Sequence, residues 1–548
     1  MTNTTSDSSL YAAWGLLAPE HRIPIPNGGP QDVASVLDDA LARTPYAEAV
    51  VGRHARHTYV ELEALVNSAA AGLAALGVQQ GQHIGCSSTS HPDILIAFMA
   101  VQRLGCVWIG IPPKLATPEK THILRDCEAR MFISDGATLE DLADELASLT
   151  QLEHLITMEP GNPKSTWARM IARFRGAGRA QVNIDPWAPA AIAYTSGTTG
   201  FPKGVVHSQH NLVLLGASRI QTNPKEFCGP KLRQGVFQPP AILNVIAVAV
   251  LTSWMAGGTC VCVDRNDAVG VAQWIERERI EAAIFAPATI FDLLTMPEID
   301  QRALDSLRHI AIGGGPASEE LRALVTERFG APPLMTYGLT EAPGQVALSR
   351  LNEPLPAGAS GRAHPHIRIA ILGADGEILP SGMLGEVCIG PSETGPWTGV
   401  YTPMLGYWKN PEATAKSLRG GWLRTGDIGS LDEEGYLSLT GRLNDVIIRG
   451  GANIYPAEIE RVLEGLDTVR ACAVLGRPDP RLGETVEAFV QLMPTVTANE
   501  TVRATLALAC RAKLANYKVP AHWTFVDEMP RNSMNKIIKN KLRELYVT

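Results

Sequence analysis

The chain has 548 residues, of which 45% are apolar and 19% charged, and its formal net charge is −8. That length suffices for several domains, and the composition is that of an ordinary globular protein. The acidic balance and the lack of a long basic run argue against a general nucleic-acid binder, and no apolar stretch reaches membrane-spanning length.

Residues 1–11 are polar and lack the basic-plus-apolar pattern of a secretory signal. Nine scattered cysteines without a CxxC fit reduced thiols in a cytoplasmic protein, and Cys260 and Cys262 alternate with valines as in a strand. Helical periodicity covers residues 31–44 and 60–78. Ser90, Pro92 and Asp93 signal a helix start before the apolar run 94–101. Residues 106–109 and 129–133 read as strands, with a turn at Gly161-Asn162-Pro163. The apolar stretch 190–193 reads as a strand, and 245–255 as a buried core helix. Beyond it, strands at 260–263, 283–285 and 310–312 alternate with helices at 271–277 and 318–328. Such alternation predicts an α/β fold with mixed, largely parallel sheets flanked by helices. Recurrent turn signals from 371 to 439 predict a compact β subdomain. A β/α texture returns near residue 444, so the expected domains are 1–443 and a small α+β domain at 444–548.

The run Tyr194-Thr-Ser-Gly-Thr-Thr-Gly-Phe-Pro-Lys-Gly204 carries four aliphatic hydroxyls, three glycines and one lysine. Thr195, Ser196, Gly197, Thr198, Thr199 and Gly200 suit a backbone folded round a polyphosphate, with Lys203 as a compact cation. The spacing is not that of a Walker A loop, so a different phosphate chemistry is implied. In Tyr337-Gly-Leu-Thr-Glu341, Glu341 could hold a divalent cation, Thr340 a phosphate oxygen and Tyr337 a stacked base. Asp427 offers two oxygens to vicinal hydroxyls, and Arg442 could reach ribose or phosphate. The glycines Gly450 and Gly451 allow close backbone approach, and Pro456 with Glu458 opens a helix well. Taken singly, the last two sites read better as surface turns, and Lys536 as a solvated surface lysine.

Together, the 195–204 loop, the 337–341 and 425–427 motifs, the 441–460 stretch and Lys536 resemble the superfamily of adenylate-forming enzymes, acyl-CoA synthetase branch. Gly406-Tyr407 followed by Pro411-Glu412-Ala413-Thr414 resembles a further family stretch. The resemblance implies ATP-dependent conversion of a carboxylic acid to an acyl-adenylate, then transfer to a thiol with release of AMP. It implies that Lys536 is the adenylation lysine, with Lys203, Thr340 and Glu341 also catalytic and Glu341 the Mg2+ ligand. It further implies that Gly315, Tyr337, Asp427, Arg442, Gly450 and Gly451 join the 195–200 loop in binding ATP or CoA. Ile242, Gly313, Gly314, Thr336, Gly338 and Pro343 would line the acid pocket, and Asn444 would be the hinge of a mobile C-terminal domain. Three positions depart from the family pattern: Asn535 stands for glycine, Asn444 for Asp or Lys, and Pro239-Pro240-Ala241-Ile242 for an aromatic-plus-histidine gate.

No acidic residue lies in 237–245, where amino-acid-activating relatives pair an α-amine. An uncharged aryl, alicyclic or aliphatic acid is therefore expected, because a buried ammonium without a partner is costly. No carrier domain follows Thr548, so free CoA is the expected thiol, with a separate carrier protein the first alternative and a non-catalytic nucleotide-binding protein the second. Neither a membrane nor a nucleic acid is expected as partner, and self-association stays open.

Overall fold

The computed structural model describes residues 11–17, 22–195, 202–222, 232–315, 317–350, 353–450, 452–531 and 537–546. One sheet has seven strands in the order Gly406–Tyr407, Lys203–Ser208, Pro189–Thr195, Val107–Gly110, His83–Ser87, Met131–Ser134, His154–Thr157. From Pro189–Thr195 to His154–Thr157 all pairings are parallel. The middle strands are buried along their whole length, as a parallel sheet covered on both faces requires. The covering helices begin where the sequence supplies caps. Thr58 and Glu61 form a capping box at the start of Tyr59–Ala75, and Pro92 occupies the first turn of Pro92–Arg103.

The second sheet has fourteen strands. Its parallel part includes Glu48–Val51, Thr259–Cys262, Arg233–Val236, Ala282–Phe285 and His309–Ile312. The strand Leu334–Leu339 then pairs in both modes. Leu334 and Met335 lie parallel to Ala311 and Ile312, whereas Thr336 onward runs antiparallel to Ala342–Leu348. The antiparallel part continues through Ala359–Ala363, Tyr436–Arg442, Trp422–Leu431, Gly385–Pro391 and Ile367–Leu372. The β-rich region expected at 371–439 forms most of this antiparallel part, which also takes in Thr336 to Ala363. Its strands are continuous with the parallel sheet, and Gly406–Tyr407 leaves it to pair with Lys203–Ser208. Turn spacing reports only neighbours in sequence, so neither long-range pairing was visible in it.

A third sheet uses strands from Ile447 onward: Ala452–Ile454, Ile447–Arg449, Gly483–Leu492 and Val469–Asp479, with His522–Phe525 parallel to Gly483–Leu492. Helices Pro456–Glu464 and Glu500–Lys513 supply Ile459, Leu463, Leu506 and Cys510 to its separate core. The architecture is thus a large mixed-sheet N-terminal domain and a smaller α+β C-terminal domain. The last strand of the large sheet, Tyr436–Arg442, runs straight into the single turn Leu443–Asp445.

Residues 243–255 are helical and mostly buried, as the sequence suggests, with a wide π-type segment at Ile246–Leu251. Among the described residues, no helix is long and apolar enough to cross a membrane. The eight described cysteines are buried free thiols, and no group of three or more metal-ligating side chains occurs among the described residues.

The turn before that helix rests on Gly110. A Cβ there would stand 2.0 Å from the Ala241 carbonyl oxygen. The obstructing atom belongs to backbone, so Gly110→Ala is expected to cost roughly 3 kcal/mol or displace the 239–242 turn. A clear drop in the thermal midpoint would register the first outcome, and a raised KM for the acid the second.

Candidate active site

Two clusters of functional side chains form near the point where Leu334–Leu339 changes its pairing. The first joins three distant segments. Thr195 and Lys203 are register partners, so the two ends of the intervening loop are clasped side by side. Ser196, Gly197, Thr198, Thr199 and Gly200 within it lie outside the described residues. On the other edge of Lys203–Ser208, Tyr407 pairs with Val205, and the Lys203 ammonium stands 5.5 Å from the Tyr407 ring centroid. The Tyr407 hydroxyl donates to Glu341 Oε1 at 2.9 Å. The Glu341 carbonyl accepts from the Met404 amide at 3.0 Å, and the Thr340 carbonyl from His207 Nε2 at 2.8 Å. Burial holds His207 neutral by pushing its pKa down to about 4, and its other ring nitrogen, Nδ1, lies 2.7 Å from Asn211 Oδ1. Lysine and carboxylate are thereby held on one tyrosine, a cation beside an anion.

The second cluster lies on the antiparallel part. Asp427 and Arg442 are register partners, and Arg442 Nε forms an ion pair with Asp427 Oδ1 at 3.1 Å. The Tyr337 hydroxyl donates to Asp427 Oδ2 at 2.6 Å. Asp427 is 7% exposed, while the Arg442 side chain is 60% exposed. Burial and then the Asp427 charge push the Tyr337 hydroxyl well above its ordinary pKa, so it stays a donor. Tyr337 itself is buried, and its clearest role is to orient the Asp427 carboxylate. Each oxygen of that carboxylate retains a lone pair, which suits vicinal hydroxyls.

The expected pocket residues also gather here. A Cβ on Gly313 would meet Thr336 Oγ1 at 2.7 Å, and one on Gly338 would meet the Gly344 carbonyl oxygen at 2.1 Å. Gly314 needs the left-handed region at φ +82°. A Cβ on Gly315 would have Pro287 as its nearest neighbour at 3.7 Å. Ile242 caps the 243–255 helix, and Asn244 in that helix accepts from the Gly344 amide at 3.4 Å. Pro343 follows Glu341 by two residues in Ala342–Leu348.

Of the C-terminal candidates, Gly450 and Asn444 lie among the described residues. Gly450, at φ +58°, turns between Ile447–Arg449 and Ala452–Ile454 and donates its amide to Leu482 O at 2.7 Å. Asn444 sits in the Leu443–Asp445 turn. Gly451, Asn535 and Lys536 lie outside the described residues. Sequence reasoning missed Tyr407 and His207 as site residues. Tyr407 stands in a recognisable stretch, but its place beside Lys203 and Glu341 depends on strand pairing that no local pattern shows.

Residues 37–408 match the AMP-binding enzyme family, and residues 458–536 match the AMP-binding enzyme C-terminal domain. The chain belongs to this family, in the adenylate-forming superfamily, and is an acyl-activating enzyme. It is 32% identical to the long-chain-fatty-acid–CoA ligase FadD13 of Mycobacterium tuberculosis, over 90% of this chain and 93% of that one. It is also 32% identical to the indoleacetate–CoA ligase of Aromatoleum aromaticum, over 89% of this chain and 93% of the relative. The crystal structure of ATP-bound MatB from Rhodopseudomonas palustris superposes with a TM-score of 0.83 at 26% identity, covering 94% of this chain and 99% of MatB.

Proposed function

We propose that this enzyme is an AMP-forming acyl-CoA synthetase acting on an uncharged aryl, alicyclic or aliphatic acid. The observation that carries the proposal is the pairing of two clusters at one sheet junction: Lys203 and Glu341 on Tyr407, and Tyr337 and Arg442 on Asp427. The first suits a polyphosphate with its cation and the second a ribose. The relatives named above as CoA ligases support CoA as the thiol.

Chemically, a carboxylate oxygen is a poor leaving group and AMP a good one. Attack of the carboxylate on the α-phosphorus of ATP forms the acyl–phosphate bond and breaks the bond to pyrophosphate. The step calls for stabilised charge on phosphoryl oxygens rather than an enzyme nucleophile. Lys203 and the 195–200 loop would hold the departing phosphates, and Lys536 would stand against the carboxylate and α-phosphate. Magnesium, which binds through one or two carboxylates plus phosphates, would be held by Glu341, whose carboxylate Tyr407 orients. The CoA thiol then attacks the acyl carbon and AMP leaves. Residues 1–443 would form the adenylation domain and 444–548 the domain that rotates about Asn444 between the two steps, bringing Gly450 and Gly451 to the pantetheine path.

An acid panel with separate detection of adenylate and thioester tests this reading. At least one uncharged acid is expected to give acyl-AMP with ATP alone, and acyl-CoA once CoA is added. Activation of α-amino acids only would refute the acid class. Thioester formed with a carrier protein but never with CoA would refute the acceptor.

A further inference from the structure

A cavity of about 10 Å³, room for one water-sized group, lies between Ala342–Leu348, helix Gln209–Thr222 and the segments at His366 and Tyr401. Its wall includes Leu215, Pro343, Gln345, His366 and Tyr401. Three of these side chains carry a polar atom without a hydrogen-bond partner among the described residues: Gln345 Oε1, His366 Nδ1 and Tyr401 OH. The residues are 5%, 2% and 6% exposed. Buried polar atoms in folded proteins are nearly always satisfied, so three left open round one cavity point to a guest.

The chemistry of the wall narrows the guest. Gln345 Oε1 only accepts, and the Tyr401 hydroxyl can donate. Burial, with His210 adding to it, pushes His366 down to about 3, so its ring is neutral and carries one donor and one acceptor. His364, 5.8 Å away between ring centroids, is likewise held neutral, by burial first and then by the nearby charges of Arg219 and Arg350. A second carboxylate would meet no formal charge on Gln345, His366 or Tyr401. A carbonyl would leave Gln345 Oε1 unmet. A hydroxyl both donates and accepts, and matches the set. The cavity starts one residue after Glu341 and shares Ala342, Pro343 and Gln345 with the segment expected to line the acid pocket.

We propose that this cavity is a subsite of the acid pocket and that the enzyme's preferred acid carries an uncharged hydroxyl remote from its carboxyl group. The proposal rests on the acid-activation reading above. Its test uses pairs of aryl, alicyclic and aliphatic acids, each with and without one remote hydroxyl, compared by kcat/KM for acid-dependent pyrophosphate release. In at least one series the hydroxylated acid should exceed its parent by about tenfold or more, since a site built to pair a hydroxyl disfavours the analogue lacking it. Tyr401→Phe, which removes one oxygen atom, and Gln345→Leu should each bring that ratio towards one. A ratio is insensitive to partial loss of folded enzyme. Parent and hydroxylated acids activated alike in every series would overturn the subsite and leave the cavity to a structural water. So would a preference that survives both substitutions. If no acid gives an adenylate, the underlying reading falls first and the subsite with it.

Discussion

Lys536→Ala is expected to remove acid-dependent pyrophosphate exchange while sparing thioester formation from a supplied acyl-adenylate. The two half-reactions make different demands. Adenylation gathers negative charge from a carboxylate and a triphosphate at one point, and a fixed ammonium there stabilises the transition state more than the separated reactants. Loss of one such charge-stabilising donor costs roughly 100- to 1000-fold in rate. Thiolysis begins with pyrophosphate gone and proceeds at the acyl carbon, where Lys536 has no assigned part. Exchange and single-turnover thiolysis measured on one preparation provide the contrast. Equal losses in both would mark a folding defect, and undiminished exchange would remove Lys536 from the adenylation step. Lys536→Arg should recover little, because a broad guanidinium does not replace a compact ammonium as a point charge.

How far the sequence revealed this arrangement depended on the range of the interaction involved. Local signals performed well: Pro92 and Pro456 start helices where expected, and the helical patterns at 60–78 and 318–328 form as the helices Tyr59–Ala75 and Glu319–Phe329. The strands at 283–285 and 310–312 were legible because burial on both faces leaves continuous apolar runs. The sheet connections were not. Tyr407 meets Val205 across some two hundred residues of chain, and Leu334–Leu339 changes pairing mode partway along its length. Neither leaves a mark in periodicity, because pairing is decided by which edges remain free once the core has assembled. The same holds for the open polar atoms of Gln345, His366 and Tyr401, which lie far apart in sequence and share one cavity only in the fold.

Asp427→Ala is expected to raise the KM for ATP by about 100-fold, with the KM for the acid little changed. Asp427 is buried, and its carboxylate ties the Tyr337 hydroxyl to the exposed guanidinium of Arg442. Each hydrogen bond to a charged group contributes about 1.5–3 kcal/mol, and much of the loss on truncation comes from groups left without partners. Here those groups are the Tyr337 hydroxyl and, in the complex, the ribose hydroxyls. Tyr337→Phe removes only the orienting donor and should raise the same KM by roughly fivefold, in line with about 1 kcal/mol for one hydrogen bond. The double substitution supplies the decisive comparison. If Tyr337 acts through Asp427, it should be little worse than Asp427→Ala alone, because the orienting bond no longer exists to be lost. Fully additive effects would instead give Tyr337 a contact of its own with the nucleotide. An unchanged KM for ATP in Asp427→Ala would show that the ribose binds elsewhere. Because Arg442 ends the last strand before the Leu443–Asp445 turn, the same pair also marks where the chain leaves the large sheet. A nucleotide held by Asp427 would stay with the large domain, leaving the smaller one free to change position between the two half-reactions.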